Sequence, residues 1–312
     1  MRELTAIAAL ALGVLLLPLF VSSGFVLNLA IMVLYSTLLG QAWNLLAGFG
    51  GQYSFGHALF FGTGAYASAA LQVHLGVNAW VALPLAVACG AAAGVLVGAL
   101  SFRYGLRGAY FALVTLAFAE VFRILANSVA FTGGGVGLLL PLKESVRDMQ
   151  FAGKAGFLYL ILALVIAGFL VSWRLKRSRF GAWLAAVRDG EESAAALGVD
   201  VFRVKLAAIS MSAALMAAGG VFYVQYFHYI DPHIAYGPAV SVEALLGPIV
   251  GGLGTVFGPL LGAAVLQLLG EATRNFAGDV PGVSLVAYGI ALVGMVMFLP
   301  RGVAGLFARR GA

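Results

Sequence analysis

Charge is scarce in this 312-residue chain: Asp, Glu, Lys and Arg make up 10% of it, against a hydrophobic share of 62%. Soluble globular proteins carry about a quarter charged residues, so too few are present here to cover a water-facing surface. The mean hydropathy of +1.02 excludes the soluble class. The chain reads as a polytopic membrane protein, an all-α bundle of membrane helices. Cysteine is nearly absent. Cys89 stands alone, which rules out an internal disulfide, and its apolar run predicts a small buried hydrophobe.

Catalytic signatures are missing as well. No G-x-x-x-x-G-K-[ST] occurs, so the chain has no loop to cradle ATP phosphates. Neither G-x-S-x-G nor H-E-x-x-H occurs, which argues against a hydrolase. No Cys, Asp, Glu or second His lies at ligand spacing from His57, so no metal site is expected there. No catalytic residue and no cofactor is expected. The net charge of +6 is read as a topology signal, because excess Lys and Arg in a membrane protein reports orientation before nucleic-acid binding.

What is present is a series of apolar runs. A membrane-crossing helix needs about 20 mainly apolar residues. About ten segments qualify: 4–21, 25–47, 57–73, 79–101, 108–128, 155–173, 204–230, 240–252, 255–270 and 283–299. The third and eighth are short and adjoin glycine-rich stretches, GFGGQYSFG and GGLGTVFG, so each is expected to be short, broken or re-entrant. Such backbone is tolerated at membrane depth only inside protein or beside a water-filled cavity. The N-terminal segment has the layout of a signal peptide, with Arg2, an apolar run and Ser22-Ser23-Gly24. The run is long for one and more spans follow, so it is expected to be a retained first helix.

With the N-terminus in the cytoplasm, thirteen of the 18 Lys and Arg fall inside. Lys143, Arg147, Lys154 and Arg274 fall outside, and Arg123 lies within a span. This asymmetry predicts cytoplasmic N- and C-termini and an even number of spans. Eight spans would keep the same ends.

One stretch departs from the apolar pattern: RFGAWLAAVRDGEESAAALGVDVFRVK, within a charged hairpin at 174–205, reads as two short helices joined at Asp189-Gly190. Small residues, Ala182, Ala185 and Ala186, then Ala194, Ala195 and Ala196, line its helices. Glu191 and Glu192 open the second helix, where the helix dipole favours negative charge. Two readings stay open: a solvated, well-capped loop, or a docking element in which small residues allow close approach while Arg188, Glu191 and Glu192 set register.

The glycines of GFGGQYSFGHALFFGTGAY permit close helix approach and irregular backbone. Freed backbone with Gln52, Ser54 and His57 would line a translocation path, as broken helices do in transporters, or would pack locally. Glu120 and Arg123 share a face of one span. Pairing lowers the cost of a charge at bilayer depth, at least about 2.5–3.5 kcal/mol on insertion scales. The pair is expected either to lock helices or to meet substrate. Glu243 opens the eighth segment and would bond the glycine-rich backbone or pair across a subunit interface. DPHIAYGP is expected to be an external turn in which Asp231 stops the seventh span. The loop 129–153 is expected either to meet a soluble partner or to form an interfacial amphipathic helix.

The hairpin resembles the coupling loop of ABC importer permeases, specifically the branched-chain amino acid permease family. Gly181, Ala185, Arg188, Asp189, Glu191, Ala194, Ala195, Gly198, Lys205 and Leu206 match that family's pattern. Val187 and Val199 replace its usual isoleucines. NLLAGFGGQYSFGHALFFGTGAYASA, GLRGAYFALVTLAFAEVFRILANS, SVEALLGPIVGGLGTVFGPLLGA and FLPRGVAGLF resemble further family blocks, in the family's order and over nearly the whole chain. TGGGVG departs from it, with Gly135 and Val136 where the family often carries S-D.

The resemblance implies a type II-like importer fold and an M-type permease, a single transmembrane permease domain over 1–312 in a bacterial inner membrane. It implies ATPase coupling through Arg188, Asp189, Glu191, Glu192, Ala194, Ala195 and Gly198. The implied partners are a homologous permease subunit, two ABC ATPase subunits and a periplasmic substrate-binding protein. Branched-chain amino acids are the first implied substrates, and related permeases carry other amino acids, urea or small carboxylates. The alternative is a stand-alone channel or secondary transporter, for which Glu120, Arg123 and Glu243 would be the coupling charges. An intramembrane enzyme is disfavoured by the missing signatures.

Overall fold

A computed structural model describes residues 2–21, 23–143 and 145–277, with a few isolated positions between 286 and 305. Twelve α-helices lie among the described residues: α1 (Arg2–Phe20), α2 (Gly24–Asn44), α3 (His57–Leu75), α4 (Ala79–Arg103), α5 (Gly108–Ser128), α6 (Lys154–Arg177), α7 (Arg179–Asp189), α8 (Glu191–Ala196), α9 (Val201–Phe227), α10 (Pro232–Tyr236), α11 (Pro238–Gly251) and α12 (Gly258–Ala277). A two-residue antiparallel ladder joins β1 (Leu138–Leu139) to β2 (Tyr229–Ile230). It is the one departure from all-α among the described residues.

Among the described residues, seven stretches are long and apolar enough to cross a membrane: Glu3–Phe20, Gly24–Phe49, Ala79–Arg103, Gly108–Ser128, Lys154–Arg177, Val201–Phe227 and Pro232–Gly251. The expected third segment is an unbroken helix, α3, of 19 residues, but it is not among these seven. Its irregular backbone lies before it, in a π-turn at Leu45–Phe49 and the loop 50–56. The expected eighth span is longer than its apolar run suggested. The preceding DPHIAYGP is helical, so α10 and α11 together fill Pro232–Gly251. Asp231 does not stop α9. That helix ends at Phe227 with His228 in the left-handed conformation, while Asp231 caps α10 by accepting from the His233 and Ile234 N–H groups at 2.8 and 2.9 Å. The expected tenth span, 283–299, lies outside the described residues apart from isolated positions.

The core is built on α9, which packs along α3 and α4. Close approach follows from small residues. Gly90, Gly94 and Gly98 recur every fourth position and so share one face of α4. A Cβ on Gly94 would lie 2.6 Å from Ala213 Cβ, and one on Gly98 would lie 2.6 Å from Ile209 Cγ2. On α3, a Cβ at Gly64 would lie 2.6 Å from the Cα of Ala217. Lipid tails are as apolar as leucine, so helix contact in a membrane depends on such close packing rather than on expulsion of water. Around this core, α2 contacts α6, α9, α11 and α12, while α5 contacts α3 and α10.

α1 lies against α6. Lys176 pairs with Glu3 at 2.8 Å, which puts the start of α1 and the hairpin at one end of the bundle. At the other end, the loop 129–153 forms short 3-10 turns rather than the amphipathic helix considered from sequence. Trp80 Nε1–H donates to Val146 O at 2.8 Å, and the Asn78 amide donates to Arg147 O at 2.6 Å, so the loop is tied to the start of α4. Cys89, expected to be buried, is exposed on α4, where it borders an open cavity between α3 and α4.

Gly64→Val forces backbone apart at the α3–α9 contact and is expected to cost about 1–3 kcal/mol. Gly13 has nothing within 4 Å of an added Cβ, and Gly13→Val is expected to stay within about 0.5 kcal/mol. Denaturant unfolding of the detergent-purified protein measures both.

Candidate functional site

The hairpin comprises α7 and α8. Ser178 begins it, its hydroxyl accepting from the Gly181 N–H at 3.0 Å. α7 buries Leu184 and Val187 against the bundle, and α8 buries Ala194. The opposite side is open. Trp183 and Leu197 are 48% and 83% exposed. Together with Phe180, Gly198 and Val199, they border a groove of about 650 Å³. Ala195, Gly198 and Asp189 are exposed too.

Two charged groups touch the bundle, Arg188 from its surface and Glu191 more deeply. Arg188 Nη1 donates to Gly48 O at 3.4 Å, and its Nε donates to Asp189 at 3.1 Å. Its stem lies over Gly51, where an added Cβ would stand 2.6 Å from Arg188 Cγ. Gly51 has φ +68°, so a side chain there would be both crowded and strained. Glu191 Oε1 accepts from Lys205 Nζ at 2.7 Å and from Gln52 Nε2 at 3.4 Å. The Lys205 side chain is 3% exposed, and its ammonium lies 4.6 Å from the centre of the Phe102 ring. Glu192 is different: it is 88% exposed, 3.5 Å from Arg107, and such a pair contributes little.

Beneath Arg188 the two glycine-rich breaks meet. The Asn44 amide donates to Thr255 O at 3.0 Å, while the Gly254 N–H donates to Asn44 Oδ1 at 2.9 Å. A Cβ on Gly48 would lie 2.6 Å from the Gly254 nitrogen. One asparagine thus joins the end of α2 to the turn between α11 and α12, and the hairpin arginine rests on the joint. Asn44 was not among the sequence candidates. The likeness of GGQYSFG to GLGTVFG was the available signal that these two segments correspond.

Gln52, Ser54 and His57 lie in packed interior. Ser54 and His57 have no exposed surface, and Gln52 has 5%. Ser212 donates its proton to Ala42 O at 2.6 Å, so His57 Nε2–H is the donor in the 2.8 Å contact with Ser212 Oγ. Trp43 Nε1–H donates to Ser54 O at 2.8 Å, and the Ala58 N–H donates to Ser241 Oγ at 2.9 Å. These bonds cross-link α2, α3, α9 and α11.

Glu120 and Arg123 form a bidentate pair within α5, at 2.9 and 2.6 Å. They bind each other on one helix and do not bridge two. Glu120 is half-exposed and borders a cavity of about 410 Å³ with Phe55, Tyr236 and Pro238. Glu243 accepts from Ser36 Oγ at 2.6 Å and borders a cavity of about 730 Å³ between α2, α11 and α12. Among the described residues, no three His, Cys, Asp or Glu side chains gather as a metal site would require.

Lys205→Met leaves Glu191 without its cation, and breaking a buried pair costs about 3 kcal/mol or more. Amide hydrogen exchange across 186–196 is expected to accelerate roughly a hundredfold. The double variant Lys205→Met with Glu191→Gln is expected to recover part of that protection.

Comparison with known proteins identifies the family. A family model described as "Branched-chain amino acid transport system / permease component" matches residues 25–299. The high-affinity branched-chain amino acid transport system permease protein LivM of Escherichia coli strain K12 is 31% identical, over 96% of this chain and 74% of its own length. LivM of Salmonella typhimurium is also 31% identical, over 91% of this chain and 71% of its own. The high-affinity branched-chain amino acid transport system permease protein LivH of Escherichia coli strain K12 is 24% identical, over 86% and 90% of the two chains. With the match covering all but the ends of the sequence, the chain belongs to the branched-chain amino acid transport system permease family.

Proposed function

We propose that this chain is a membrane-spanning permease subunit of an ATP-driven importer, carrying branched-chain amino acids across a bacterial inner membrane. The observation that carries the reading is 31% identity to the LivM permeases along nearly the whole chain, together with a polar hairpin braced on the broken helices. About ten spans in a type II-like arrangement, with both termini cytoplasmic, form one permease domain. A homologous permease stands beside it, two ATPase subunits grip the hairpins, and a substrate-binding protein docks on the far side.

The hairpin divides the work between its two faces. Trp183, Glu192, Ala195, Leu197 and Gly198 are its outward side, where an ATPase groove would close over them. Arg188, Glu191 and Ala194 brace the inward side. Asp189 steadies Arg188 at the turn. A pull on α7 and α8 is passed by Arg188 to Gly48, and by Glu191 to Lys205 on α9 and to Gln52. Asn44 shares the load between the end of α2 and the α11–α12 turn. ATP binding can then bias inward-open against outward-open states only to the extent that it favours one arrangement of this joint.

Reconstitution with the permease partner, ATPases and binding protein is expected to give L-leucine uptake that stops when ATP is removed. Uptake that continues without ATP, with ion gradients held constant, would point to a stand-alone channel instead. Leu197→Asp is expected to lower ATPase co-purification about tenfold while leaving the unfolding midpoint of the permease unchanged. Full recovery of the ATPase with unaltered uptake would count against the assignment of the outward face. Glu192→Lys tests the same face with a smaller expected effect, because its charge is solvated.

A further inference from the structure

The cavity between α2, α11 and α12 contains a carboxylate that the hairpin does not use. Glu243 is on α11 with Val242 and Leu246, facing Ser36 on α2 and Leu266 and Gln267 on α12. The polar groups form a chain. Gln267 Nε2 donates to Ser36 Oγ at 2.8 Å, and the Ser36 hydroxyl donates to Glu243 Oε1 at 2.6 Å. Glu243 has no Lys, Arg or His partner among the described residues, although eight other carboxylates there form ion pairs. A carboxylate can accept at about four lone-pair positions, and one neutral hydroxyl does not offset the cost of a charge within a span. Such a carboxyl sheds that cost either by holding a proton or by meeting a cation from outside, and the free lone pairs and the open cavity beside it leave room for the cation.

We propose that this cavity binds the ammonium group of a small aliphatic amino acid, with Glu243 as its counter-ion. A bare metal ion is a poor fit, because hard cations collect six or more oxygen ligands and the walls here are largely aliphatic. An ammonium group has three donors and no acceptor, which suits a carboxylate with free lone pairs. Val242, Leu246 and Leu266 offer an apolar surface to a branched side chain. Gln267 has a second N–H beyond the one spent on Ser36, available to the ligand's carboxylate. Arg274 also borders the cavity, but its partner is Glu271 at 3.7 Å. Seven residues of helix separate it from Gln267, about 10 Å along the axis. The Arg274 side chain is 76% exposed.

The proposal rests on the importer reading and names the group inside the span that meets the substrate. Glu243→Gln keeps an acceptor for Ser36 and removes the charge. In proteoliposomes containing the whole complex, its L-leucine uptake is expected to fall about tenfold or more. Uptake within about twofold of the parent would overturn the proposal.

A second measurement holds even if that variant fails to assemble. Carbodiimide modification of Glu243 in the intact complex, read by peptide mass spectrometry, is expected to be slowed by L-leucine and by 3-methylbutylamine, and unaffected by 4-methylpentanoate. Equal protection by the carboxylate probe, or none by either amine, would overturn it. So would complete shielding without ligand, as expected if a cation of a partner permease already covers Glu243. If the parent complex transports no leucine while 3-methylbutylamine still protects Glu243, the importer reading falls and the ammonium site stands.

Discussion

Backbone at membrane depth has no water to bond, so each break in a helix must find its partners inside the protein. That constraint organises the hairpin end of this bundle. Glycines 48, 50 and 51 end α2 in a π-turn and an irregular loop, and Gly252 and Gly254 form the turn between α11 and α12. Each break supplies what the other lacks. Asn44 donates to one carbonyl and accepts one N–H across the gap, and Arg188 takes the Gly48 carbonyl. With these bonds in place, the two irregular segments act as one joint at the foot of α2, α11 and α12.

The charges follow the same economy. Lys205 is nearly inaccessible, yet it holds a carboxylate at 2.7 Å and lies beside the Phe102 ring. Replacing both charges would disturb the bundle less than removing one. Glu120 and Arg123 satisfy each other within a single turn, which lets a charged pair sit on a helix whose neighbours are apolar. Glu243 is the exception, because its described partner is neutral.

Rigidity elsewhere comes from fit. Glycine and alanine on α3, α4 and α9 bring three backbones together, and serine, tryptophan and histidine side chains tie α2, α3, α9 and α11. A packed core resists continuous deformation. Under the proposed function, motion imposed at the hairpin would be passed on by whole helices, which is what a change between two access states requires.

Much of this was legible in the chain itself. Composition sets the membrane class, because too few charges exist to coat a soluble surface. Apolar run length sets most helices, and the charged interruption at 174–205 sets the hairpin, since such residues do not rest in lipid. Local pattern does not reveal which faces meet. It indicated neither that Arg188 and Glu191 touch the bundle nor that Asn44 joins segments 210 residues apart in sequence. It left open whether Gln52, Ser54 and His57 line a path or pack locally, and burial was visible only in the fold; it ended the seventh span at Asp231 when a left-handed His228 ends it earlier. Periodicity and composition act along the chain, whereas burial and pairing depend on neighbours that only the folded bundle supplies.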